Sequence, residues 1–437
     1  MTKPPTIAFF PEASFGAALN CVGIAQKLKE NGANPVFICH AGFTGIFAEY
    51  GFREYHLPQN ANNNVGAIED YWQEFINTHL PHFNLNPLDQ LPAYVTPTWE
   101  AIVDTAITAE EKLAAILERI DPDAIVLDNV VMFPAIAKAR CPWIRIVSCA
   151  ETEIPDPNVP PYLSGLSPGD DAACKTFKRA YLQHTRPVHR RYNEFRKAHG
   201  LPTLPAGIFL ETSPTLNLLL SPRSVRFDRK LPLPEDKFVF LEGCVRLESA
   251  YELPRFPASD GPLVYMSFGS LGAIDTDLIK RMIDVFATIP ARFLVNVGGF
   301  LEAYRDIPDN VHLGDWFPQP SVVEQAALFI HHGGNNSFCE ALFYGVPSLI
   351  LPYCWDGHDN AQRAEATGLG HRIDRKDWSN EFLRHKISVL LSDVDMRHRL
   401  VEVSRQMNEN SGTDKAAHKI LDAVQREENL WASTANQ

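Results

Sequence analysis

A chain of 437 residues is too long for one hydrophobic core, so two domains are expected. With 45% apolar and 21% charged residues it has the composition of a globular protein. A formal charge of −13 argues against a nucleic-acid partner, which would want basic faces. No apolar stretch reaches the ~18 residues of a membrane span, and no basic amphipathic run suggests a surface anchor.

The N-terminus enters a strand at once, Thr6 to Pro11, and does not read as a secretory signal. An amphipathic helix, Ala17 to Asn31, follows and Gly32 caps it; Pro35 to His40 is a second strand. Strand–helix–strand alternation of this kind predicts right-handed βαβ units and a parallel sheet. The pattern returns in a long helix at Thr98–Ile120 and strands at Asp123–Asp128 and Trp143–Ser148. Ala172 to Gly200 reads as a charged helix bent at Pro187, and Leu216–Ser221 and Phe238–Leu241 as the last strands of this half. Stretches 55–97 and 151–170 have no clear period and are broken by prolines, as substrate-shaping loops often are.

Residues 248–262 carry three prolines and no periodicity, and read as a linker. A second alternation starts with strand Leu263–Ser267, the Gly269–Ser270 turn and a helix over 276–288. Arg292–Val297 and Val311–Leu313 are further strands, and Asp414–Trp431 is a last amphipathic helix. The predicted fold is therefore α/β, with two doubly wound, Rossmann-like parallel-sheet domains over 1–247 and 263–412 and a terminal helix in 413–437. Eight scattered cysteines, none in C-x-x-C, read as buried thiols of a cytoplasmic protein, not as a disulfide frame or a zinc site.

The densest chemistry lies between Trp316 and Arg363. A short apolar run to His331 ends in Gly333–Gly334, then Asn335, Asn336 and Ser337 open a helix that stops at Gly345. A helix N-terminus fed through glycines is an anion site, because free N–H groups and the positive dipole end face the ligand. His332 adds a donor for phosphate. Glu340, deeper in the helix, can accept both hydroxyls of a ribose. Trp316 offers a face to stack on a base and Gln319 an amide to read its edge. Each element alone is an ordinary turn or core residue; their conjunction reads as a nucleotide-diphosphate pocket. Ser267, Ser270, Gly298, Trp316 and His332 all fall at the carboxyl ends of strands, where open α/β sheets bind ligands.

That conjunction, with Pro318, Gly334, Pro347, Asp356, Asn360 and Ala361, resembles the donor signature of nucleotide-sugar glycosyltransferases of the GT-B fold. Its Trp-to-His spacing is similar to the bacterial antibiotic- and macrolide-modifying branch. The resemblance implies an inverting transfer of a sugar from a nucleotide diphosphate to a small acceptor, such as a natural product of antibiotic biosynthesis. It also implies that the terminal helix crosses back onto the first domain. Nothing here looks like the metal-binding D-x-D of the metal-dependent glycosyltransferases, so metal independence is expected, with no cofactor beyond the nucleotide-sugar co-substrate. If Glu340 holds both ribose hydroxyls, losing one costs roughly 1–3 kcal/mol, which favours a UDP-sugar over a dTDP-sugar.

Two departures from the family stand out. Asp356 matches a residue that binds hydroxyls of the transferred sugar, but the Gln usual next to it is Gly357, which removes a contact and is expected to open space. His358 either takes over that contact or is a solvated histidine. In the first strand-to-helix turn Ala17 stands where the family carries its catalytic His, while its partner Asp128 remains. Three routes are open: Asp128 acts as the base, directly or through water; Glu12 serves instead; or the acceptor needs little base. Competing readings are a nucleotide-sugar 2-epimerase and a non-catalytic nucleotide-sugar binder. The oligomeric state is not legible.

Overall fold

The computed structural model describes residues 3–57, 78–257 and 260–435; part of the first expected loop (58–77) and two residues of the linker (258–259) lie outside the described residues. Two fully parallel sheets carry the fold. The first has seven strands in the order β3-β2-β1-β4-β5-β6-β7: β1 Thr6–Pro11, β2 Asn34–His40, β3 Arg53–Leu57, β4 Ala124–Asp128, β5 Trp143–Val147, β6 Leu216–Leu220 and β7 Phe238–Leu241. The second has six in the order β10-β9-β8-β11-β12-β13: β8 Leu263–Ser267, β9 Arg292–Asn296, β10 Val311–Gly314, β11 Leu328–His331, β12 Ser348–Ile350 and β13 Gly370–Arg372. In both sheets the order reverses beside the first strand, the crevice where open α/β sheets take ligands.

The longer helices are α1 Phe15–Glu30, α2 Thr96–Ile120, α3 Asp171–Ala198, α4 Thr276–Phe286, α5 Asn335–Tyr344, α6 Gly357–Ala366, α7 Asn380–Ser392, α8 Val394–Glu409 and α9 Gly412–Ala435. The central strands are buried on both faces; β1, β4, β5 and β8 have no exposed residue. One face of the first sheet packs on α2 through Trp99, Val103 and Ala106. The other packs on α1 and on α9, whose Ala416, Ala417 and Ile420 are fully buried with Ile7, Phe9 and Cys21. The last helix thus closes the first domain, as the resemblance implied. Helix α3 runs unbroken through Pro187, where a bend was expected.

Three strands escaped the sequence reading. β3 (REYHL) is a largely polar edge strand, and β12 and β13 have three residues each, too few to show a period. Among its described residues the expected linker has no regular element, and it is tied down at its start: Arg246 pairs with Glu248 at 2.5 Å. All eight cysteines are free thiols. Among the described residues no helix is long and apolar enough to cross a membrane.

Candidate active site

The carboxyl ends of β8, β9 and β11 form the mouth of the second sheet. The loop after β11 is sharply turned, with Gly333 at φ +91°, and Gly334 begins α5 without a side-chain cap. The first N–H groups of the helix therefore face outward, with one exception: the Asn335 amide donates to Asp356 Oδ2 at 3.0 Å. Asn336 is half-buried and makes no side-chain hydrogen bond among the described residues. His332 stacks on Tyr353, ring centroids 5.0 Å apart, beside this terminus. Burial and the Arg375 charge push its pKa down to about 4, so it stands neutral, a donor or acceptor rather than a cation. The turn after β8 closes on it: Gly269 sits at φ +69°, and a Cβ there would lie 3.1 Å from the His332 ring. Ser267 is buried in that turn and Ser270 exposed; Gly298, at φ +55°, turns the chain after β9.

Trp316 is 57% exposed, with its neighbour Phe317 buried, so an indole face is free to take a base. The residues expected to read base and ribose behave differently. Gln319 does not point its amide outward: it donates to Glu340 Oε2 at 2.6 Å and to Ser337 Oγ at 3.1 Å. Glu340 is wholly buried, and its other oxygen accepts from Arg246 at 3.0 Å. Both Glu340 oxygens are therefore filled from within. The reason is Arg246, a buried guanidinium from the segment after β7 that no local pattern in the sequence marks.

Gly357 does not open space. A Cβ on it would lie 2.6 Å from the His332 carbonyl, and one on Gly333 would lie 2.6 Å from the Gly357 carbonyl. The two loops meet backbone to backbone, and glycine is what lets them touch. His358 is neither solvated nor aimed at the mouth. It is 9% exposed, bonds Gln90 of the first domain at 3.0 Å, and is held neutral by burial, its pKa near 4.

Across the cleft, β1 and β4 end in Glu12 and Asp128. Asp128 is 3% exposed; it accepts from Ser148 Oγ at 2.7 Å and from the Cys21 thiol at 3.8 Å. Burial, opposed by the Ser148 bond and augmented by Glu12, raises its pKa to about 8. Glu12 is half-buried and makes no side-chain hydrogen bond among the described residues. Burial, then the charge of Asp356 on the opposite domain, lifts it to about 7. A fourth carboxyl, Glu153, joins the group at about 8 through burial. Ala17 is buried in the first turn of α1.

The domains are also joined by buried polar bonds. Asn335 donates to the carbonyls of Ser148 (2.9 Å) and Leu220 (2.8 Å). Asp359 accepts from Thr152 (2.6 Å), Leu163 (2.9 Å) and Gly165 (2.7 Å). Sequence reasoning missed Glu153, Ser148, Asn335, Asp359 and Arg246; each lies in an unpatterned loop or carries a partner remote in the chain. Among the described residues one group could converge on a metal: Cys39, Glu54 and His56 on β2 and β3, with ligand atoms within 4.8 Å. It lies at the sheet edge, and Glu54 is already filled by the amides of Gly45, Phe47 and Ala48.

Comparison with known proteins agrees with this architecture. Residues 280–423 match the family model described as the erythromycin biosynthesis protein CIII-like C-terminal domain. The chain is 24% identical to the oleandomycin glycosyltransferase of Streptomyces antibioticus over 325 residues, 73% of this chain and 72% of that protein. It is 27% identical to the NDP-glycosyltransferase YjiC of Bacillus subtilis over 231 residues, 52% of this chain; the match spans 58% of that relative's length. Among solved structures, the kitacinnamycin glycotransferase superposes with a TM-score of 0.71 at 21% identity, covering 97% of this chain and 100% of its own. VinC, solved with dTDP, gives 0.65 at 17%, covering 96% of this chain and 100% of its own. With its two parallel sheets the chain has the GT-B fold of these solved structures, and over residues 280–423 and along the relatives named it is similar to bacterial antibiotic- and macrolide-type glycosyltransferases.

Proposed function

We propose that the protein transfers a sugar, with inversion, from a nucleotide diphosphate donor to a small natural-product-like acceptor in the cytoplasm, without a metal. The observation that carries this reading is the meeting of two half-sites. The uncapped N-terminus of α5, with His332, Asn336 and Ser337, is built to hold departing diphosphate charge, and Glu12 faces Asp356 across the cleft. Dipoles and neutral donors supply the stabilisation that a metal would otherwise give.

Burial and pairing reverse the order of the two base candidates. Asp128 is deep, doubly bonded and holds its proton to about 8. Glu12 is free of such bonds and balanced at about 7, where a general base works best. Glu12 takes the acceptor proton in this reading, and Asp128 positions the turn beneath it, since its backbone carbonyl accepts the Glu12 amide at 2.7 Å.

A ribose reaches Glu340 only by displacing the Gln319 amide. A 2′-hydroxyl repays that exchange, which keeps a UDP-sugar favoured over a dTDP-sugar. VinC, bound to dTDP, supports the opposite preference. Incubation with UDP-glucose and dTDP-glucose, following nucleotide release with and without acceptors, tests the whole reading. Release that depends on acceptor supports transfer. An isomerised donor points to a 2-epimerase, and binding with neither outcome points to a non-catalytic binder.

A further inference from the structure

Trp355, the residue before Asp356, has φ +52°, a left-handed backbone that a bulky side chain rarely adopts. The consequence is an indole pushed from the second domain into the first. It meets Trp99 of α2 at a centroid distance of 5.3 Å and the edge of Tyr162 at 6.1 Å. Trp355 and Tyr162 are half-buried, so their faces are only partly covered.

A carboxylate borders this aromatic group. Glu153 is 9% exposed, and its Oε1 is fully buried with no hydrogen-bond donor among the described residues. Its charge is felt by Tyr162, and also by Tyr181. Arg145, the nearby guanidinium, donates to the carbonyls of Asn129, Val131 and Glu211; its charge opposes the rise in the Glu153 pKa, but no hydrogen bond or ion pair joins the two among the described residues. Glu12, Asp128 and Asp356 add like charge from three sides. Leaving a buried carboxylate oxygen without a partner costs free energy, and stacking further negative charge around it costs more.

Aromatic faces beside a buried carboxyl group whose Oε1 has no partner, and which can give up its proton to a bound cation, are the chemistry that recognises an organic cation. We propose that this box takes a cationic nitrogen on the acceptor, a protonated or quaternary amine, with Glu153 as counter-charge and Trp355 and Tyr162 as its aromatic walls. The inference rests on the transfer reading and narrows its acceptor class. Glu153 is a specificity residue here and Trp355 the means by which the donor domain contributes to acceptor choice.

Choline and its uncharged isostere 3,3-dimethyl-1-butanol probe the box directly by calorimetry on the full chain. The expected result is choline binding about tenfold tighter than the isostere, with the gap shrinking to about twofold in Glu153→Gln. Trp355→Leu weakens choline severalfold, and carries the test alone should Glu153→Gln not fold. At pH 7 choline binding also releases a proton, because burial holds the Glu153 proton to about 8; the heat then varies with the buffer's ionisation enthalpy. Equal binding of the two probes, or a preference untouched by both substitutions, overturns the proposal. UDP and dTDP titrations run in parallel keep the two readings apart. Nucleotide binding without choline preference removes the cation box and leaves sugar transfer standing; choline preference without nucleotide binding does the reverse.

Discussion

Asn335 and Ser148 join the two halves of the cleft. The Asn335 carboxamide, at the start of α5, donates to the Ser148 carbonyl at 2.9 Å, while the Ser148 hydroxyl donates to Asp128 at 2.7 Å. One serine therefore links α5 to the buried acid of the other sheet. Asn335→Ala leaves two buried carbonyls short of a donor, a loss of about 1–3 kcal/mol. The expected outcome is a kcat drop of about tenfold or more with UDP affinity within about twofold, read by steady-state kinetics and calorimetry. An equal fall in both would place Asn335 in the nucleotide site instead.

In the proposed reading Trp316 carries the base. Because it is 57% exposed, Trp316→Ala changes little in the folded core. It should weaken nucleotide binding by about 1–2 kcal/mol, close to tenfold, with the melting temperature unchanged.

Glu12 and Asp128 differ in their pH signature. A base must be deprotonated, so kcat/KM rises with pH through about 7 if Glu12 acts and through about 8 if Asp128 does. Glu12→Gln should remove the rising limb and most turnover; Asp128→Asn should keep a reduced rate with the limb near 7. The reverse pattern would return the role to Asp128.

Stability should fall as pH rises. The folded pKa values of Asp128 and Glu153 are raised to about 8 from ordinary values near 4, and those of Glu12 and Asp356 to about 7. Where folding raises the pKa of an acid, the folded state binds more protons between the two values. The stability that comes from holding those protons is complete below about 4 and gone above about 8. Thermal melts between pH 5 and pH 9 should show a declining Tm, less steep in Asp128→Asn.

Gly357→Gln, which restores the residue usual in the family, should not restore a sugar contact. Its Cβ would meet the His332 carbonyl 2.6 Å away, and that atom is backbone. A destabilisation of about 1–3 kcal/mol is expected, together with weaker nucleotide binding as the β11 loop shifts. A stable, more active variant would show that the two loops part easily.

Much of the architecture was legible. Strands such as Thr6–Pro11, Phe238–Leu241 and Leu263–Ser267 end where their apolar runs end. The glycine-rich turn into α5 lies where its spacing placed it, because backbone conformation there is a local property. The internal pairing of Glu340 was not legible for the opposite reason: its partner Arg246 is remote in the chain, and an ion pair of that kind leaves no periodic trace. His358 and Gly357 look polar and open in the sequence, yet both are packed against other loops.

Local pattern by itself determined the two parallel sheets, most of their strands, the glycine-rich turn into α5 and the absence of the usual histidine at Ala17. Hydrophobic period, glycine and caps act over a few residues, so they can be read along the chain. Tertiary structure alone decided which carboxyls share the cleft, which of them keep their protons, and that Trp355 enters the first domain. Those properties depend on burial and on charges brought together from distant segments, and desolvation exists only once the chain has closed around them.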